Sequence, residues 1–80
     1  MKLTFYGKAG CHLCEEAYAD VLAVRDEAGF ELEVHDVSRD PRLNREYGER
    51  VPVLAADGRD VLELGFDAAS VRAVLGRVGP

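Results

Sequence analysis

The sequence predicts a single α/β domain in which a mixed four-stranded sheet carries helices on both faces. Two observations support this class: segments with a strand pattern alternate with segments at helical spacing, and the order of these segments is β-α-β-α-β-β-α. A right-handed crossover makes the first two strands parallel, and the last two strands form an antiparallel hairpin. With 80 residues, the chain makes one domain, 1–80, with a lean core.

The first strand and the long helix after it are predicted from their apolar spacing. Residues 2–6 alternate as a strand does and stop at Gly7. Residues 13–28 carry apolar side chains at helical spacing, and Gly29 suits the position just beyond a helix. The predicted buried stripe of this helix is Leu13, Ala17, Val21, Val24 and Ala28.

A peripheral strand and a short helix come next. In residues 30–35 apolar residues alternate with Glu and His, which is typical of an edge strand with one wet face. Asp40-Pro41 is a favoured helix start, and Gly48 closes this short helix. The predicted apolar face of the strand is Phe30, Leu32 and Val34.

The last third of the chain predicts a hairpin and a final helix. Asp57-Gly58 is a turn pair favoured between antiparallel strands, here 53–56 and 61–64. Asp67 is expected to cap the final helix, with Phe66 packing back on that helix as a hydrophobic staple. The predicted buried face of the helix is Val71, Val74, Leu75 and Val78.

Charge and hydropathy argue against several classes of partner. There are 15 acidic and 10 basic side chains, and the net charge of -5 argues against a general affinity for nucleic acid or anionic lipid. No apolar run approaches the ~20 residues of a membrane span. Met1-Lys2 leads directly into a strand, without the apolar stretch of a signal peptide. We therefore expect a cytoplasmic monomer that binds neither nucleic acid nor membrane.

Cys11 and Cys14 are the two cysteines of the chain and stand three positions apart where the long helix begins. Residues at this spacing are neighbours on one helix face, so a disulfide closes there with little backbone movement. The helix N-terminus favours a thiolate at Cys11, which is the candidate nucleophile. Cys14 lies almost one turn further into the helix, where we expect it to be more buried and to act as the resolving thiol.

The acidity of Cys11 depends on its charged neighbours. A helix N-terminus stabilises an anion by up to ~2 kcal/mol, which lowers a thiol pKa by about 1.5 units at most. Lys8 and a protonated His12 are candidates for lowering the pKa of Cys11 further, whereas Glu15 and Glu16 oppose it by repulsion. We expect a moderately lowered pKa of Cys11 and a reducing rather than strongly oxidising Cys11/Cys14 dithiol–disulfide couple.

With Cys-x-x-Cys after the first strand, the element order is that of the thioredoxin fold. Residues 6–14 resemble the active-site segment of glutaredoxins, including Lys8 three residues before the first cysteine. Val51-Pro52 stands where that family carries a Val-Pro with a cis peptide bond, and Gly65-Phe66-Asp67 resembles the Gly-x-Asp that opens its last helix. The chain departs from the family pattern at His12-Leu13, Arg50 and Leu64, which replace Pro-Tyr, Thr and Gly.

The resemblance implies a thiol:disulfide oxidoreductase that reduces glutathione mixed disulfides, protein disulfides or both. It implies no bound cofactor, with glutathione as a candidate co-substrate. Val51-Pro52 would face the dithiol and offer the Val51 backbone for strand-like pairing with the substrate. Gly65-Phe66-Asp67 would hold part of glutathione, and Lys8 and Arg50 are candidates for binding a substrate carboxylate.

Two other kinds of function stay open. The chain is a candidate carrier of a metal or an iron–sulfur cluster, but a closed zinc site needs four ligands. His12 points ~100° around the helix from Cys11, and His35 stands on another element, so the local ligand set is incomplete and we assign no metal ligand. The second alternative is a redox-inert binding module on the same fold.

Overall fold

The computed structural model describes the backbone of residues 1–78 and the side chains of residues 1–76, so the predicted burial of Val78 lies outside the described side chains. The elements follow the predicted order β-α-β-α-β-β-α, with a 3-10 turn at Val37–Arg39. The strands are β1 (Lys2–Gly7), β2 (Glu31–Asp36), β3 (Val53–Ala56) and β4 (Arg59–Glu63). The helices are α1 (His12–Ala28), α2 (Pro41–Tyr47) and α3 (Ala68–Val78). Within this part of the chain, none of them has the length and apolar character needed to cross a bilayer.

The four strands form one mixed sheet in the order β2-β1-β3-β4. β1 runs parallel to β2 and antiparallel to β3, and β3 and β4 form the predicted hairpin. The peripheral position of β2 and the mixed sheet are therefore confirmed. In the register, Gly7 pairs with Asp36 and Tyr6 with Val53, which in turn pairs with Glu63. The carboxyl ends of β1, β2 and β4 and the start of β3 thus meet at one end of the sheet.

Helices cover both faces of this sheet, as predicted. Phe5 of β1 contacts Tyr18 of α1, with ring centroids 5.3 Å apart, and also faces Phe66 at the start of α3. Its neighbour Tyr6 points to the opposite face, where it stacks on Tyr47 of α2 at 4.1 Å. Alternation along β1 therefore assigns α1 and α3 to one face and α2 to the other.

Three apolar residues predicted to be buried are exposed. Leu13 is 53% exposed, because the sheet-facing residue in the first turn of α1 is Cys14. Ala28, the last residue of α1, is also exposed. Val34 lies on the expected face of β2 but is 49% exposed. The reason is that β2 is an edge strand and α1 does not cover this residue. Ala17, Val21 and Val24 are buried as predicted.

The hairpin turn has the predicted position, but its second strand is shifted. Asp57 and Gly58 have φ angles of 50° and 85°, as a two-residue turn between antiparallel strands requires. β4 begins directly after them at Arg59 rather than at residue 61. It ends at Glu63, because Leu64 has a φ of 66° and does not continue an extended chain.

Candidate active site

The two cysteines lie where β1 passes into α1, at the carboxyl end of a central strand. Gly10 turns the chain with a φ of 78°, and Cys11 follows as the N-cap residue of α1. The sulfurs of Cys11 and Cys14 are joined in a disulfide, with Cα atoms 5.2 Å apart. This separation is in the usual range for a bridge, so the predicted closeness of the pair is confirmed.

The two sulfurs differ in their access to solvent. Cys11 is half-buried, whereas Cys14 is 4% exposed and belongs to the core. The N–H of Cys14 donates a hydrogen bond to the Sγ of Cys11 at 3.2 Å. In the reduced protein, a donor directed at this sulfur and the helix N-terminus both favour a thiolate at Cys11. The geometry suits attack by Cys11 followed by resolution by Cys14.

Gly7 allows β1 to pass directly beside the buried cysteine. A Cβ atom at this position would lie 2.9 Å from the ring edge of Phe5 and 3.4 Å from the Cβ of Cys14. Real Cβ contacts are longer than the first of these distances, so a side chain would have to displace the ring or the first turn of α1. The sequence predicts Gly7 as a strand end, but no local pattern indicates this contact.

Lys8 and His12, the predicted modifiers of Cys11, have different surroundings. The Nζ of Lys8 donates to the carbonyl oxygen of Gly48 at 3.0 Å, which connects the loop before the dithiol to the loop before Val51-Pro52. The His12 ring is exposed, with Nδ1 3.8 Å from Glu15 Oε2 and Nε2 3.7 Å from Glu16 Oε1. A protonated His12 would therefore pair with those carboxylates. The effect of both residues on Cys11 stays a prediction.

Asp36, which was not predicted as a functional residue, ends β2 and caps the 3-10 turn that follows it. Its Oδ1 accepts hydrogen bonds from the N–H and the hydroxyl of Ser38, at 3.0 and 2.6 Å. These bonds lower the pKa of Asp36. The Asp-x-Ser spacing after a strand is a signal for this kind of turn.

Val51 and Pro52 are joined by a cis peptide bond, as the resemblance implied, and both residues are buried. The pairing of Tyr6 with Val53 brings them to the same end of the sheet as the dithiol. The N–H of Val51 donates to the carbonyl oxygen of Tyr47 at 3.0 Å, so this donor is already used within the chain. Pairing of the Val51 backbone with a substrate stays a prediction.

Arg50 lies in a network of carboxylates. Its Nη2 is 2.9 Å from Asp60 Oδ2, its Nε is 2.8 Å from Glu63 Oε2, and its Nη1 is 3.6 Å from Glu46 Oε1. The hydrogen bonds to Asp60 and Glu63 raise the pKa of the guanidinium. This network connects the Val51-Pro52 loop to β4 and competes with a substrate carboxylate for Arg50. The predicted contact of Arg50 with substrate stays untested.

Aromatic side chains support the same loop from the α2 face of the sheet. Tyr6 stacks between His35 and Tyr47, at centroid distances of 5.5 and 4.1 Å, and Arg50 lies 5.1 Å from the Tyr47 centroid. Burial raises the pKa of the Tyr47 hydroxyl, which donates to Asp60 at 3.2 Å. The alternation of β1 indicated the face of Tyr6, but no local pattern indicated which side chains it would meet.

Gly65-Phe66-Asp67 forms the entry to α3. The Oδ1 of Asp67 accepts from the N–H and the hydroxyl of Ser70, each at 2.9 Å, and these bonds lower the pKa of Asp67. The predicted helix cap is therefore confirmed. Phe66 is partly buried against the core and faces Phe5 edge-on, with ring centroids 6.3 Å apart. Gly65 has a φ of 137°. The predicted contact of this segment with glutathione stays a prediction.

A shallow cavity of about 180 Å³ opens beside the buried cysteine, between the start of α1 and the end of β2. Its wall includes Cys14 and the apolar side chains of Phe5, Tyr18 and Val34, with Lys8 among the charged residues at its rim. Solvent and small apolar groups therefore have access to a surface next to Cys14. This cavity was not predicted, because the exposure of Val34 depends on where α1 crosses the sheet.

Metal binding by the two cysteines would require further ligands. Among the residues whose side chains the structure describes, no three His, Cys, Asp or Glu side chains come together as a metal-binding group. His12 faces the carboxylates of α1, while His35 stacks on Tyr6 on the other side of the sheet.

Fold and dithiol together define a thioredoxin-fold protein with a Cys-x-x-Cys pair at the N-terminus of its first helix. Residues 2–76 match the family model described as Glutaredoxin-like domain (DUF836). The chain belongs to this family, and the predicted glutaredoxin-like character is confirmed.

Similar proteins cover most of the chain. An uncharacterized protein of Mycobacterium tuberculosis, Rv0508, is 31% identical in an alignment 75 residues long, and the match covers 88% of this chain and 77% of that protein. The X-ray structure of a structural-genomics target protein from X. campestris is 36% identical, with a TM-score of 0.79, over 95% of this chain and 97% of that one. The glutaredoxin of E. coli is 18% identical with a TM-score of 0.60 over 100% of both chains, a likeness of fold alone.

Proposed function

We propose that this protein is a thiol:disulfide oxidoreductase that reduces protein disulfides or glutathione mixed disulfides with a Cys11/Cys14 dithiol. The observation that carries the proposal is the unequal burial of two bridged sulfurs at one helix N-terminus. A half-buried, N-capping thiol is accessible to a substrate disulfide, and a buried partner is protected from direct attack.

In the first step the Cys11 thiolate attacks one sulfur of the substrate disulfide. A new bond joins Cys11 to that sulfur, the substrate disulfide breaks, and the other substrate sulfur leaves as a thiolate that takes up a proton. In the second step Cys14 loses its proton and attacks the Sγ of Cys11. The Cys11–Cys14 disulfide forms, and the second substrate thiol is released, so two electrons pass from the dithiol to the substrate.

Several other residues are assigned supporting roles in this reaction. Val51-Pro52 and Gly65-Phe66-Asp67 lie at the dithiol end of the sheet, where an extended substrate segment would pass. Lys8 and His12 are proposed to stabilise the Cys11 thiolate. An external thiol, with glutathione or a dithiol reductase as candidates, returns the oxidised protein to its reduced form.

Substitution of each cysteine separates the two steps. With a protein disulfide as substrate, Cys11→Ser is expected to abolish exchange, whereas Cys14→Ser should accumulate a covalent complex between Cys11 and the substrate. Intact-mass spectrometry before and after addition of a reductant measures that complex. Turnover by Cys11→Ser at the wild-type rate would contradict the proposal, and so would a wild-type dithiol that neither forms nor opens its disulfide in a glutathione buffer.

A further inference from the structure

Exposed apolar side chains are concentrated around the dithiol. In the part of the chain with described side chains, four large hydrophobic residues are exposed: Met1, Leu13, Val34 and Leu64. Leu13 stands between the two cysteines, and Val34 lines the cavity beside Cys14. Leu64, which is 60% exposed, follows β4 and donates its N–H to the carbonyl oxygen of Pro52 at 3.0 Å. Clustered apolar exposure of this kind marks a contact surface for a partner.

Two basic side chains at this end of the sheet, Lys8 and Arg50, have partners within the chain. The ammonium of Lys8 is held by the carbonyl oxygen of Gly48. The guanidinium of Arg50 is surrounded by the carboxylates of Asp60, Glu63 and Glu46. The three carboxylates outweigh the charge of Arg50, so this network is net negative, whereas Lys8 keeps its charge because a carbonyl oxygen is neutral.

Acidic side chains are exposed around the same surface. Glu15 and Glu16 follow directly after Cys14, and their side chains are 73% and 62% exposed. Glu63 precedes Leu64, and Asp67 caps α3 three residues further on. Glutathione carries two carboxylates and one ammonium group, so this negative rim repels it, whereas it attracts lysine and arginine side chains.

We propose that the dithiol surface, formed by Leu13, Val34 and Leu64 within the rim of Glu15, Glu16 and Glu63, selects protein disulfides flanked by apolar and basic residues over glutathione disulfide. This inference rests on the proposed function and specifies its substrate class. The exchange is the one described above: the substrate disulfide gains two electrons and two protons, and the dithiol becomes the Cys11–Cys14 disulfide. Leu13 and Leu64 contact the apolar flank, and the carboxylates attract the basic flank.

The test compares three disulfides in single-turnover reactions with the reduced protein at low ionic strength. Two are synthetic peptides with the same apolar residues beside the disulfide, one with lysines and one with glutamates around them; the third is glutathione disulfide. The lysine peptide is expected to react about tenfold faster than the glutamate peptide, and faster than glutathione disulfide. The difference between the peptides should shrink as salt is added.

Substitutions in the dithiol surface test whether this surface causes the preference for the lysine peptide. Glu15→Gln should lower the ratio of the lysine-peptide rate to the glutamate-peptide rate, and Leu64→Ser should lower the ratio of the lysine-peptide rate to the glutathione rate. Ratios are used because Glu15→Gln also changes the reactivity of Cys11 toward every disulfide. Glu31→Gln, at the opposite end of the sheet beside Lys2, is the matched control and should leave the ratios unchanged.

The possible results separate this inference from the proposed function. Equal rates with the two peptides, or a faster reaction with glutathione disulfide, would overturn the substrate preference and leave the oxidoreductase function standing. Absence of reaction with all three disulfides would overturn both. A preference that persists unchanged in Glu15→Gln and Leu64→Ser would show that another surface causes it and would also overturn the inference.

Discussion

The backbone N–H of Cys14 points at the sulfur of Cys11 from 3.2 Å, so the buried cysteine supplies a hydrogen-bond donor to the more accessible one. The bond exists because Cys11 occupies the N-cap position of α1, where a side chain accepts from the N–H groups of the first turn. A serine or aspartate in this position accepts through oxygen, whereas here the acceptor is the sulfur that we propose as the nucleophile. In the proposed reaction, one interaction would therefore both cap the helix and stabilise the Cys11 thiolate.

The first prediction concerns the acidity of Cys11. In the Cys14→Ser variant, Cys11 is expected to titrate below the ordinary thiol pKa of about 8.5, by about 1.5 units at most from the helix N-terminus. Thiolate absorbance measures this titration. Adding Lys8→Met to the same background tests whether the ammonium contributes, and a lower pKa in that double variant would contradict the role assigned to Lys8.

Gly7 provides a prediction about packing beside Cys14. Gly7→Ala should lower the free energy of unfolding by about 1–3 kcal/mol, because the new methyl group would overlap the Phe5 ring. Gly76→Ala is the matched control: nothing lies within 4 Å of a Cβ there, and alanine should stabilise α3 by roughly 0.5–1 kcal/mol. Urea unfolding measures both variants, and equal effects would refute the predicted overlap at Gly7.

A third prediction concerns backbone strain at Leu64. Leucine at a φ of 66° is unfavourable, whereas glycine adopts this conformation freely. Leu64→Gly is therefore expected to stabilise the protein by about 1 kcal/mol, in spite of the greater entropy of glycine in the unfolded chain. Leu64→Ala keeps the strain and should change the stability by less than about 0.5 kcal/mol. Thermal unfolding of both variants gives the comparison, and destabilisation by glycine would contradict the prediction.

The fourth prediction is a pH dependence that joins α1 to α3. Arg72 donates to Glu27 through Nε and Nη2, at 3.0 and 2.8 Å, and these bonds lower the pKa of Glu27. A carboxyl group with a lowered folded pKa stabilises the fold above its ordinary value of about 4.3, and this contribution is lost as the pH falls through the folded value. Arg72→Met should therefore be less stable than the wild type at neutral pH and approach it in acid.

Urea unfolding over a series of pH values measures this effect. Because both side chains are largely exposed, the difference should be small and should decrease further at high salt. Arg72→Lys keeps the charge without the two-point contact and should lie between the wild type and Arg72→Met. A stability difference that grows in acid would contradict the assignment.

Much of the fold was predictable because its signals are local. Alternation located β1 and β2, helical spacing located α1, and Asp57-Gly58 and Asp67 marked a turn and a cap that both formed. The errors in predicted burial occurred where burial depends on how far a helix covers the sheet. Leu13 and Val34 are apolar and fit their patterns, but their exposure depends on where α1 begins and how far it covers the edge of the sheet.

The site divides in the same way. The spacing of Cys11 and Cys14 and their positions at the start of α1 indicated a bridging pair with one more buried member. The contact of Lys8 with Gly48 and the carboxylates around Arg50 join residues that are far apart in the sequence. No local pattern encodes such partners. Lys8 and Arg50 were therefore predicted as site residues, but the groups that they contact were not.

By itself, the sequence determined the order of the elements, the closeness of Cys11 and Cys14 and their position at the N-terminus of α1, because spacing and capping act over three to five residues. The tertiary structure decided which surfaces around that pair are apolar or acidic. Those properties arise when β3, β4 and α2 pack beside the end of β1. Chain segments remote from the cysteines in the sequence then determine which substrates can bind next to the dithiol.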